Sequence, residues 1–308
     1  MKTDLYKETE RHKMAALFIF VILLMRIIQS VFSKKGSLKL PSGKTAYIHY
    51  IFLQFASSSL FSLIVMFGGK IKSETVLPTL AVAACSGCFL AFNMLCGINA
   101  LDGGTVVLNS IFSTSGIIIP CALGALFLNE SMSLIQVFCI AAVIFSAVLL
   151  VDSSKKVKGT FTPETLLWLL GSFASNGAVM FCQKVFGLKV EGGNVAFFSM
   201  LTFLIPAIML GGAFIVLGLK SRKTESEKQS EFPKPLYLYA VLLAFAVFVI
   251  QQLATTLTPM LSSAVLFAWI NGGATIIAAI VGAVVFGEKI TVKTVIGIAV
   301  GIAALVLI

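Results

Sequence analysis

The chain has 308 residues, 58% of them hydrophobic and 12% charged, with a mean hydropathy of +1.01 and a net charge of +10. Soluble domains carry about 25% charged residues, so the composition excludes a soluble globular protein and predicts an all-α integral membrane protein. The 23 Lys and Arg against 13 Asp and Glu fall largely in short breaks between apolar runs, where anionic headgroups account for them and no nucleic-acid partner is implied.

In chain order, residues 1–13 form a polar tail, and no small-residue cleavage site follows the first apolar run, which predicts a retained anchor. Ten apolar runs follow, at Met14–Ser33, Ala46–Phe67, Val76–Ile98, Thr105–Leu128, Leu134–Val151, Leu166–Gly187, Val195–Leu219, Leu236–Leu257, Leu261–Phe286 and Thr291–Ile308. Each is about the length that crosses a ~30 Å hydrocarbon layer as a helix, and none alternates as a barrel strand does. Lys34, Lys35, Lys39, Pro41 and Lys44 predict a loop after the first run. Thr162-Pro163-Glu164 reads as a capped helix start, and residues 220–235 form the longest internal polar stretch. The six cysteines all lie in apolar runs, where they serve as small packing hydrophobes.

The chain repeats itself. At an offset of 158 residues, Thr105–Leu150 matches Ser263–Ile308 at 13 of 46 positions, including Gly124-Ala125 with Gly282-Ala283 and Glu130 with Glu288. Gln29-Ser30-Val31-Phe32 resembles Gln183-Lys184-Val185-Phe186, and Asn93 aligns with Gln251. Ten spans then divide into a first five-helix repeat at 14–152 and a second at 153–308. An odd number of crossings in each makes them inverted, the plan of many secondary transporters.

These features resemble the EamA-type, ten-helix branch of the drug/metabolite transporter superfamily. The likeness rests on the five-plus-five repeat, Pro120 ten residues before Glu130, the Leu128-Asn129-Glu130 and Phe286-Gly287-Glu288 breaks, and the glycine-rich last run. It implies carriage of a small organic solute through a central cavity between the halves, with both termini cytoplasmic. Two features depart from it. Ala278 stands where a second proline would match Pro120, which predicts a kink in one half only. With a cytoplasmic amino terminus, the inside segments hold eight Lys and Arg and the outside loops fourteen, so the positive-inside rule predicts the opposite orientation. We adopt the family topology, because orientation rarely flips within a homologous set.

Polar side chains inside spans cost free energy unless they find partners or water, which makes them the site candidates. Asn109, Ser113, Gly116 and Pro120 share one face of the fourth span, with Gly116 and Pro120 as a hinge or a static kink. Gln251 and Thr255 stripe the eighth, Asn176 and Gln183 the sixth, and Asn93 sits in the third. Trp269 and Asn271 lie in the ninth. The alternative for the polar residues is interhelical hydrogen bonding, and for Trp269 plain core packing. Arg26, with Gln29 one turn on, is the only charge near the middle of a run; facing a cavity it would favour an anionic group, and otherwise it snorkels to headgroups.

All 13 acids lie in loops, tails or at span ends, so no mid-membrane carboxylate offers the proton exchange that a cationic-drug antiporter needs. The absence of a Walker motif argues against direct ATP use, and no cofactor or metal is expected. The expectation is a non-enzymatic secondary carrier of a neutral or anionic metabolite in the cell inner membrane, as a monomer or homodimer, working by alternating access. A flippase-type carrier of a lipid-linked sugar or polyprenyl phosphate is the alternative, with a membrane-embedded enzyme behind it. Gly297 and Gly301 form a small-residue face, open to packing within the chain or between copies.

Overall fold

The computed structural model describes residues 2–41, 44–102, 106–150, 162–223 and 232–308. Among the described residues the chain is helical throughout and holds no strand. The helices are α1 (Lys2–Lys39), α2 (Lys44–Phe67), α3 (Ser73–Asp102), α4 (Val106–Ser115), α5 (Ile118–Phe127) and α6 (Leu134–Leu150). They continue with α7 (Pro163–Lys189), α8 (Val195–Lys223), α9 (Lys234–Leu257), α10 (Ser263–Phe267), a π-helical turn (Ala268–Gly272), α11 (Gly273–Phe286) and α12 (Val292–Leu307). The expected loop around Lys155–Lys158 and residues 224–231 of the polar stretch lie outside the described residues.

Among the described residues, seven helical segments are long and apolar enough to cross a membrane: Glu10–Lys39, Thr45–Phe67, Ser73–Gly97, Pro163–Lys189, Val195–Leu217, Lys234–Leu257 and Ser263–Phe286. Three shorter apolar ones, Ile111–Phe127, Leu134–Leu150 and Val292–Leu307, fall where the fourth, fifth and tenth spans are expected. The outward faces match a hydrocarbon surround: Phe67 is 79% exposed, and Leu134 and Val284 are 78% exposed. Water would not tolerate such a belt.

Several boundaries differ from the sequence reading: α1 already runs through the polar tail from Lys2, and α8 continues to Lys223, into the polar stretch. Lys34, Lys35 and Lys39 are helical rather than a loop, because straight-chain lysines lose little in a helix and the chain is stopped only by Pro41. Lys35 and Lys39 also lie over the Phe32 and Tyr239 rings at 5.8 and 5.5 Å. The Thr162 cap is as the sequence predicts, with its hydroxyl accepting from the Thr165 N–H at 3.2 Å and Pro163 in the first turn.

The Leu-Asn-Glu and Phe-Gly-Glu breaks are the same device. Asn129 and Gly287 adopt φ of 53° and 65°, the left-handed conformation that ends a helix. The next N–H, from Glu130 or Glu288, donates back to the carbonyl of Gly124 at 3.2 Å or of Gly282 at 3.0 Å. Each carboxylate folds over its glycine, so that a Cβ on Gly124 or Gly282 would lie 2.7 or 2.2 Å from the acid's Oε2. The repeated glycine six residues before the repeated acid thus leaves room for the carboxylate to fold back; a Cβ there would make it move aside.

Helix α1 packs on α9, α3 on α7, α2 on α8 and α9, and α6 on α12. Arg11 reaches the Pro259 carbonyl while Phe32 meets Tyr239, so α1 and α9 run antiparallel. On α6 and α12, Ser146 donates to the Gly297 carbonyl at 2.7 Å, and Leu150 crowds Gly297. A Cβ on Gly301 would lie 2.5 Å from the Ser146 Oγ, so the small-residue face of α12 is occupied by α6 of the same chain. Because α6 and α12 are antiparallel, their starting turns lie at opposite ends of the bundle. The largest apolar core joins α1, α7, α9, α10 and the π turn through Ile22, Met180, Ile250, Leu257, Phe267 and Ile270.

Candidate functional site: an intramembrane polar seam and a buried ion pair

Ala15, Ile19 and Ile22 of α1 enter that core, and Arg26 and Gln29 continue the same face by helical spacing. The Arg26 Nη1 donates to the Gln29 Oε1 at 2.7 Å. Its Nε is sealed from solvent without an acceptor, and no carboxylate among the described residues pairs with it. Such a cation is costly at bilayer depth.

Other predicted residues divide into two groups. Asn93 is committed to α7, donating to the Ser172 carbonyl at 3.0 Å and the Ser175 hydroxyl at 3.1 Å. Gln183 is buried and donates to the Thr255 hydroxyl at 2.9 Å, which in turn donates to the Gln251 carbonyl at 2.8 Å. Asn176 donates to the Ser113 carbonyl at 2.7 Å. These amides hold helices together. By contrast Asn109 keeps a buried Oδ1 without a partner, and Gln251 a buried Nε2, as does its neighbour Gln252.

The fourth-span hinge is a true interruption. Pro120 has no N–H to offer the Gly116 carbonyl, which accepts instead from Ile119 at 3.1 Å, and the chain leaves α-helix between Ser115 and Ile118. The second half departs from regular helix too, which the loss of a matching proline did not predict. It forms a π-helical turn at Ala268–Gly272 that carries Trp269 and Asn271. Trp269 packs on the main core, and the Asn271 amide donates to the Phe267 carbonyl and the Met180 sulfur, both at 3.2 Å. Single π turns inside helices recur at functional sites.

The residue that sequence reasoning missed is Lys184. It is 1% exposed, and its ammonium contacts the Glu130 Oε1 at 2.5 Å and the carbonyls of Thr258 at 2.7 Å and Leu261 at 2.5 Å. All three of its donors are satisfied, the condition for a lysine to be buried at all. The Glu130 Oε2 accepts from the Ser263 N–H at 3.0 Å. Burial pushes the Glu130 carboxyl up, but the hydrogen bonds from Lys184 and Ser263 outweigh it and hold the group below its ordinary value. A second pair joins Lys34 to Glu288, with Lys34 also 4.5 Å over the Phe286 ring. The signal was present: Lys184 stands where Ser30 stands in the matched tetrapeptides.

An apolar groove of about 490 Å³ lies between α2 and α8, lined by residues including Phe52, Leu63, Leu204, Ile208 and Gly212.

No protein-family model and no curated protein matches the chain. A solved crystal structure shares its fold with a TM-score of 0.74 over 95% of each chain, at 13% sequence identity. At that identity the likeness speaks for the fold alone.

Proposed function

We propose that the chain is a secondary carrier of a small organic solute, neutral or anionic, crossing the cell inner membrane ten times as two inverted five-helix halves. The observation that carries this reading is Arg26, a cation on the core-facing side of a membrane helix with a buried Nε that has no acceptor. Among the described residues its acceptor is Gln29. A solute carboxylate or phosphate would complete the guanidinium's planar set of donors. The Asn109 Oδ1 and the Gln251 Nε2 are further buried polar atoms without a partner.

The inverted repeat is supported by exchange of partners: α1 on α9 mirrors α7 on α3, α2 on α9 mirrors α8 on α3, and α2 on α8 and α6 on α12 map onto themselves. It is also supported by the paired helix ends at Glu130 and Glu288. The broken α4/α5 and the π turn before α11 lie in the fourth span of each half, where a carrier built from repeats concentrates irregular backbone. These features, with the resemblance to EamA-type transporters, favour a carrier over an enzyme.

The test is counterflow in liposomes holding purified protein and a panel of carboxylates, phosphates and neutral metabolites. Solute movement without ATP is expected; a requirement for ATP, or no movement across the panel, overturns the proposal. Reporter fusions after residues 38 and 225 should fall on the same side of the membrane, and opposite sides would refute ten spans.

One observation favours a second reading. The apolar groove between α2 and α8 suits a hydrocarbon chain, as a carrier of lipid-linked sugars or polyprenyl phosphates would need. Scrambling of a fluorescent polyprenyl phosphate between leaflets, with no counterflow of soluble solutes, would establish that reading in place of the first.

A further inference from the structure

We infer that the two ion pairs are the end closures of the molecule, opening in alternation. The inference rests on the carrier reading above. Each pair joins the acid that follows one long helical break to a lysine near the end of a helix in the other half of the chain: Glu130 to Lys184 on α7, and Glu288 to Lys34 on α1. The two acids stand just before α6 and α12, which are antiparallel, so the pairs sit at opposite ends of the bundle. Between those ends α6, with 17 residues, rises ~25 Å.

Both are connected to more than their partner. Lys184 gathers the turn before α6, the end of α9 and the start of α10 onto α7, through Glu130 and the Thr258 and Leu261 carbonyls. Gly187, one turn on, lets Thr258 approach; a Cβ there would lie 1.8 Å from the Thr258 Oγ1. At the other end Lys34 ties α1 to the end of α11 through Glu288 and Phe286.

The two closures differ in depth. The Lys184 and Glu130 side chains are 2% and 17% exposed, against 28% and 43% for Lys34 and Glu288. A buried pair is costly to separate and an exposed one is not. The Glu130 end is therefore the tighter closure of this conformation, and the Glu288 end the one that opens first. Alternation requires that release of one end favours closure of the other.

Hydrogen–deuterium exchange of the full chain in lipid nanodiscs tests this without knowledge of the solute. Glu288→Gln, at the exposed pair, should raise deuterium uptake at 34–40 and 286–291 and lower it at 128–134 and 258–263. Glu130→Gln should do the reverse, as should Lys184→Gln, which removes the same pair from the lysine's side while keeping an amide to donate to the carbonyls around it. If Glu288→Gln loosens only its own end, the pairs are static struts and the inference falls. If it loosens both ends together, or neither, it falls equally. Reciprocal exchange combined with absence of counterflow in the wild-type protein would leave the two-ended switch standing and remove the carrier reading; counterflow without reciprocity would do the opposite.

Discussion

Gly177 of α7 crosses the break between α4 and α5 so closely that a Cβ on it would lie 2.5 Å from the Gly116 carbonyl oxygen. The reverse holds too, since a Cβ on Gly116 would lie 2.8 Å from the Phe173 carbonyl. Two glycines in different halves thus set the distance at which the broken span meets α7, and Asn176, beside Gly177, fastens the crossing to the Ser113 carbonyl.

Gly177→Ala should therefore cost about 1–3 kcal/mol through overpacking, read as a fall in melting temperature in detergent. Gly212→Ala is the control: nothing lies within 4 Å of its Cβ, and alanine in a helix should leave stability level or raise it by roughly 0.5–1 kcal/mol. Equal melting temperatures for wild type and Gly177→Ala would show that the helices can separate there freely.

Acid should weaken the Glu130 end. A carboxyl held below its ordinary value in the folded chain contributes stability that is present above the unfolded value of about 4.3 and is lost as pH falls through the folded value. The melting temperature should drop as pH is lowered below about 4.3, and Glu130→Gln should reduce that drop. A pH profile unchanged by Glu130→Gln would mean that other groups control acid sensitivity.

Removing the unpaired guanidinium should trade function for stability. Insertion scales put an Arg at a helix centre at about 2.5–3.5 kcal/mol, so Arg26→Met should raise the melting temperature while abolishing counterflow of an anionic solute. Arg26→Lys, which keeps the charge but loses the planar fork, should retain partial transport. A lower melting temperature in Arg26→Met with transport intact would assign the residue to structure.

Pro120→Ala offers the Gly116 carbonyl a regular i+4 N–H in place of the bond it takes from Ile119. If the interruption is a hinge, the variant should be more stable and carry solute more slowly; if it is a static kink fixed by Gly177, both properties should stay within error of wild type. Melting temperature and initial flux, measured on the same preparation, distinguish the two.

The sequence determined by itself that the chain is helical and apolar, where the apolar runs lie, that Thr162 caps a helix, and that Glu130 and Glu288 mark equivalent ends. Those features depend on local composition, on helix-end chemistry and on a repeat offset, all of which are written along the chain. The tertiary structure decided which polar residues are joined to one another. Asn93, Asn176 and Gln183 are equal site candidates with Arg26 and Gln251 by type and position, and only packing shows that the first three donate to neighbouring helices while Arg26 and Gln251 keep buried donors without partners. Lys184 looked like a residue at a span edge, and its burial depends on an acid 54 positions away and two carbonyls more than 70 positions on. A buried charge is stable only where partners from several segments converge, and that convergence is a property of the folded chain rather than of any stretch of it.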